Sequence, residues 1–140
     1  MPTYPEGRRL PYDRSYTFIA SGSTHEYFDM DPVPPGFYLV VESMSFMTYT
    51  NKWQHVRTGW KHIADYHPEN ETIESNDDQW YRHAHHTGIR EGDTPYLSAT
   101  PAASGDIAYA SVHGYLVQVH VGSEAPEGER AELGVGWAQE

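Results

Sequence analysis

The sequence predicts an all-β sandwich or barrel, and three observations carry that expectation. About seven or eight short runs rich in Val, Ile, Tyr, Phe and Thr are bounded by Gly, Pro, Asn and Asp, the punctuation of strands and turns. No stretch carries a convincing helical period with caps at its ends. The two ends differ in composition from the middle, which predicts an arm and a tail around one sandwich domain.

Taken in chain order, residues 1–14 hold Pro2, Pro5 and Pro11 with Arg8, Arg9 and Arg14 and few apolar groups, a composition that favours extended backbone. They are expected to form an N-terminal arm. The runs SYTFIAS from Ser15 and THEYFDM from Thr24 flank Gly22 and read as a hairpin or two consecutive strands. The segment DPVPPG, Asp31 to Gly36, cannot supply a full ladder of N–H donors and reads as a connection. It releases the chain into FYLVVESMSFMTYT, apolar on both faces, as a sandwich-core strand is.

From Lys52 to His67, Trp53, Val56, Trp60 and Ile63 fall at helical spacing, but Gly59 inside a helix would cost roughly 1 kcal/mol relative to Ala and no clear cap precedes Trp53. Two strands are favoured, with Arg57-Thr58-Gly59 as the hairpin turn. HPENETIESNDDQ, from His67, reads as a polar, acidic loop. In DIAYASVHGYLVQVHV, from Asp106, residues Tyr115, Val117, Val119 and Val121 share one face and Gln118 and His120 the other, so one face is buried and the other meets something polar. Gly114 within this run marks a bulge or a close backbone approach. Residues 122–140 contain five glutamates, one arginine, four glycines and a single large aromatic, Trp137, too little apolar surface to order the segment alone. The expected organisation is an arm at 1–14, a β-sandwich at 15–121 and an acidic tail at 122–140.

A chain of 140 residues is one domain's worth, able to bury roughly two thirds of its surface. Aromatics make up 14% of it, with 11 tyrosines, so large buried areas per residue offset the modest apolar content of 38%. Twenty acids against nine bases give a net charge of −11, which repels nucleic acid and anionic membranes, and neither is expected as a direct partner. With no Cys, packing, hydrogen bonds and assembly must hold the fold. No apolar stretch is long enough to cross a membrane as a helix, and the N-terminal residues lack the apolar run of a signal peptide.

The densest chemistry is WYRHAHH, Trp80 to His86. On a strand, Tyr81, His83 and His85 point to one face and Arg82, Ala84 and His86 to the other, so only two of the three imidazoles converge. A metal site needs a third ligand. His55, His62, His113, His120 and Glu91 are the candidates, and His83-Ala84-His85 followed by Glu91 is similar to the first motif of the cupins, metal-binding jelly-roll barrels. The spacing from His85 to Glu91 is too long for that motif, and no matching downstream His motif follows. No metal or other cofactor is expected, and His83 and His85 are read instead as sheet residues beside Tyr81 or as lining a subunit interface. Asp77 and Asp78 read as solvated loop charges. Trp53, Trp60 and Trp80 form a glycan-stacking platform if they share an exposed face, and core if they do not.

Two segments, DPVPPGFYLVVESMSFMTYT and IREGDTPYLSATPAASGDIAYASVHGYLVQVHV, resemble small jelly-roll proteins of tailed-bacteriophage virions. The likeness is one of strand grammar, covers Pro32 to Thr50 and Gly92 to Val121, and includes no catalytic signature. It implies a jelly-roll-like sandwich that is not an enzyme: a capsid decoration or cement protein, commonly a trimer, on the capsid surface of virions assembled in the host cytoplasm. Its partner would be the major capsid protein or another virion protein. The ends are then the expected grips on neighbours, through Arg8, Arg9, Tyr12 and Arg14 in the arm and Leu133 and Trp137 in the tail. Tyr81, His83, His85 and His120 are secondary candidates for the oligomer interface. A carbohydrate-binding module of a phage fibre or tail is the alternative, and a cupin-like metalloprotein the third.

Overall fold

The computed structural model describes residues 9–119. Eight strands run through them: β1 (Arg9–Ile19), β2 (Glu26–Asp29), β3 (Phe37–Thr48), β4 (Gln54–His62), β5 (Asp65–Glu74), β6 (Tyr81–Ile89), β7 (Thr94–Thr100) and β8 (Ile107–Gln118). They form two antiparallel four-stranded sheets, ordered β1-β8-β3-β6 and β2-β7-β4-β5. The strands pair 1 with 8, 2 with 7, 3 with 6 and 4 with 5. One long hairpin rolled into two facing sheets gives that nesting, the jelly-roll arrangement of a β-sandwich.

The core lies between the sheets. From β3 it takes Leu39, Val41, Met44 and Phe46, from β8 Ala108, Ala110, Val112 and Leu116, and from the opposing sheet Phe28, Trp53, Val56 and Leu97. The central strand β3 buries apolar groups toward the core and carries Tyr38, Val40 and Met47 on its other side, as its sequence predicts. Between Val41 and Ser43 its register with both neighbours shifts, opposite Gly114 of β8. A Cβ at Gly114 would collide with the Val40 carbonyl oxygen, so the glycine is what lets the two backbones close on the bulge.

The two lateral seams of the sandwich are built from different materials. Where the edges β1 and β2 meet, Phe18 stacks on Phe28 at 5.0 Å and Phe28 on Trp53 at 5.7 Å. Where the edges β5 and β6 meet, the contact is polar. Carboxylates tie the loops at the two ends: buried Glu26 accepts from the amides of Ser21, Gly22 and Ser23, and Asp106 from Asn51 Nδ2 at 2.7 Å and Ala103 N at 2.8 Å. At the other end Asp93 pairs with His62 at 2.7 Å.

Several elements differ from their sequence reading. Arg9–Arg14, expected in the arm, form the first half of β1 and pair with Val117 to Val112 of the same chain. Tyr12 is 2% exposed in the core, which removes it as a neighbour contact, and Pro11 is tolerated because β1 is an edge strand whose outer donors have no ladder to complete. Residues 1–8 and 120–140, with Arg8, His120, Leu133 and Trp137, lie outside the described residues. Of the two arrangements expected for the first two runs, the structure has consecutive strands, in different sheets, and not a hairpin. Lys52 to His67 does hold two strands, but the turn is Ile63-Ala64, and Arg57-Thr58-Gly59 lie inside β4. The acidic stretch from His67 is mostly β5; its polarity reflects an edge strand wet on one side. On β8 the core face is that of Leu116, so Tyr115 and Val117 share the outer one.

Candidate functional site

The three clustered histidines divide as the strand period requires. His83 and His85 point between the sheets and are buried, while His86 is exposed. Facing them is Thr58 of β4, also buried, and two residues of β5, Thr72 and Glu69. Glu69 reaches this seam because β5 carries a bulge: Thr58 pairs with Asn70 and Gly59 with Pro68, which leaves Glu69 as the extra residue and re-aims its side chain.

A continuous set of hydrogen bonds links these groups. Thr72 Oγ1 lies 2.9 Å from His83 Nε2, His83 Nδ1 2.7 Å from Thr58 Oγ1, Thr58 Oγ1 3.0 Å from His85 Nε2, and His85 Nδ1 3.1 Å from Glu69 Oε1. The polarity follows from one end. A carboxylate only accepts, so His85 Nδ1 carries the proton; in the tautomer whose Nε2 is the acceptor, Thr58 donates to His85 Nε2, His83 Nδ1 donates to Thr58, and Thr72 donates to His83 Nε2. Thr87 Oγ1 and Trp60 Nε1 also donate to Glu69, and Asn70 Nδ2 donates to the Ala84 carbonyl at 2.7 Å. The seam is thus a hydrogen-bonded tie between two sheet edges.

Its electrostatics agree. Burial, assisted by repulsion from His85, lowers the His83 imidazole to about 4, so it is neutral at ordinary pH. Burial works to raise Glu69, but the bonds from Thr87, His85 and Trp60 outweigh it and hold the carboxyl below its usual range. Beside the tie, Arg57, Pro68, Glu69, Asn70 and Glu71 line an open depression of about 440 Å³, where Glu71 is held by His55 at 3.0 Å and Arg57 at 3.4 Å.

Glu91 does not join His83 and His85. Its Oε1 accepts from Gly36 N at 2.8 Å, while both ring nitrogens of His83 and of His85 already have partners. Among the described residues no three His, Asp or Glu side chains are grouped to hold a metal. Burial also corrects the reading of His83 and His85 as interface residues, since they face their own opposing sheet; half-buried Tyr81 stacks on Phe46 at 5.2 Å and accepts from Asn76 N. Arg9 and Arg14 are exposed but each lies over a tyrosine of the same sheet, Arg9 over Tyr115 and Arg14 over Tyr12. The three tryptophans do not share a face: Trp53 is core, Trp60 packs against the core and stacks on His67 at 4.1 Å, and Trp80 is exposed.

Residues that the sequence reading did not group together define a surface instead. On the outer face of β1-β8-β3, register aligns Ile19 with Ile107, and Tyr49 N donates to Ile107 O, which sets Tyr49 in the same row. The next row holds Thr17, Tyr109 and Met47. Trp80, alternate to core-packed Tyr81 and just beyond Met47, extends this corner over β6. Ile19 is 63%, Tyr49 49% and Trp80 53% exposed. Only the alternation within each strand foreshadowed it; which strands lie side by side was not readable. No protein-family model and no curated protein matches this sequence.

Proposed function

We propose that this chain is a non-enzymatic virion structural protein, a decoration or cement protein that binds a capsid surface as a homotrimer and bridges neighbouring subunits. The observation that carries the reading is the apolar corner of the first sheet around Ile19, Tyr49 and Trp80, exposed among the described residues, since contiguous exposed apolar surface of this kind serves macromolecular contact. Two further features support it. The interior imidazoles and Glu69 are committed to the tie between sheet edges, and the strand order is that of a jelly roll, the fold that the resemblance in strand grammar implies.

Light scattering coupled to size exclusion, with a search for the chain in purified particles, tests the proposal. A trimer that co-purifies with particles is expected, and the doubly substituted Ile19→Glu, Trp80→Glu chain should lose the trimer, particle binding or both. A monomer missing from particles overturns it. Removing residues 1–8, which leaves β1 whole, should keep the oligomer and weaken particle binding; unchanged binding counts against a role for that arm.

A second reading is favoured by a different observation. On the outer face of the other sheet, exposed Tyr27 stacks on Tyr66 at 4.0 Å, and Asp29 receives bonds from Tyr66 Oη at 2.8 Å and Lys61 Nζ at 3.0 Å. Stacked rings flanked by a carboxylate and an ammonium suit a carbohydrate. Retention on immobilised polysaccharide that disappears in Tyr27→Ala would support this alternative, and no retention would remove it.

A further inference from the structure

We infer that the apolar corner formed by Ile19, Ile107, Tyr49, Tyr109, Met47 and Trp80 is the docking site of the chain's own C-terminal segment, residues 122–140, supplied by the same or a neighbouring copy. The inference rests on the reading of that corner as a contact surface and names what occupies it.

Apolar complementarity is the first argument. The corner presents Ile19, Tyr49 and Trp80 with Ile107, Tyr109 and Met47, and its nearest charges balance, Arg82 two residues after Trp80 and Asp78 two residues before it with its amide on Thr48 O. In residues 122–140 the apolar members Leu133, Val135 and Trp137 match that aromatic and aliphatic floor.

Reach is the second. The described chain ends at Val119, whose amide donates to Gly36 O at the far end of the same sheet. From there to the row of Ile19 is about ten residues of strand, ~33 Å. The residues beyond Val119 can span about 70 Å when extended, so Leu133 and Trp137 reach the corner with chain to spare. The rows crossed on the way are Arg9, Val117 and Tyr38, then Pro11, Tyr115 and Val40, then Asp13, His113 and Ser43, then the small row Ser15, Ser111 and Ser45.

The absence of cysteine makes the test direct, because any introduced pair is the only pair. In the full chain, Ala138→Cys is combined with Thr17→Cys at the corner or with Ile73→Cys on the opposite sheet, both exposed positions. Under mild oxidation the Thr17 pair should form a disulfide at least about tenfold faster than the Ile73 pair, and adding Trp137→Ala should abolish the difference. Equal rates at the two positions, or a preference that survives Trp137→Ala, would overturn the inference. A covalent dimer identifies the segment as a neighbour's and a cross-linked monomer as the chain's own. Either product supports docking, but only the dimer adds to the proposed bridging role; a particle-bound trimer with equal trapping rates sinks the docking and leaves that role standing.

Discussion

At the residue scale the decisive group is Thr58, whose single hydroxyl serves two imidazoles. Thr58→Val keeps the shape but leaves His83 Nδ1–H without an acceptor and His85 Nε2 without a donor, and should destabilise the fold by about 2 kcal/mol in urea titrations. Thr58→Ser should recover most of that loss. The tie also makes the protein acid-labile. An unfolded imidazole takes up a proton near 6.5, whereas folded His83 resists until about 4, so the unfolded state binds the extra proton across that window and stability falls as pH drops through it. Glu69, whose carboxyl titrates below its usual range, contributes stability that is lost as pH falls through its lowered pKa. The melting midpoint should decline steadily from neutral pH to about 4, and His83→Gln should flatten the upper part of that decline. A level profile in the parent chain would contradict the assigned proton positions. His83 and His85 were legible as a same-face pair from strand alternation alone. Glu69 was not, because a bulge reverses the direction that alternation assigns.

At the element scale, β3 and β8 owe their fit to one position. Gly114→Ala drives a methyl against the Val40 carbonyl, and either the bulge or the central pairing must give way. A loss of about 3 kcal/mol is expected by denaturant titration, large for so small a substitution. A change within a few tenths of a kilocalorie would mean the bulge is adaptable. The sequence flagged this glycine because nothing else explains a glycine within an otherwise continuous strand. It misjudged β1 and β5 for a shared reason. Both are edge strands, and edge strands tolerate proline and charge, so Pro11 among arginines and Pro68 among acids imitate loop composition. The central strands β3 and β8, richer in apolar residues, do not allow that confusion, whereas β4, central but polar, did, and its Arg57-Thr58-Gly59 reads as a turn.

For the whole molecule, nested pairing sets the order in which contacts become accessible. The β4–β5 hairpin closes over two residues, Ile63 and Ala64, whereas β1 must find β8 across nearly the entire described chain. Folding in the millisecond-to-second range is expected, with the inner hairpin formed early. Ile63 tests this, since an isoleucine at φ 56° sits in a left-handed conformation that an L side chain resists. Ile63→Asn should stabilise the protein by about 1 kcal/mol and, in stopped-flow refolding, do so mainly by speeding folding; Gly114→Ala should act mainly on unfolding. The reverse pattern would place β1–β8 in the nucleus. The fold class was legible from strand-length runs and turn residues, but the shared corner was not, because it is assembled from β1, β3, β8 and the step into β6, segments whose adjacency only the rolled topology creates. The same roll sets Arg9 directly opposite Val117. The two limits of the described chain, Arg9 and Val119, therefore leave the sandwich from a single pole, and the segments that flank it set out from the same side of the molecule.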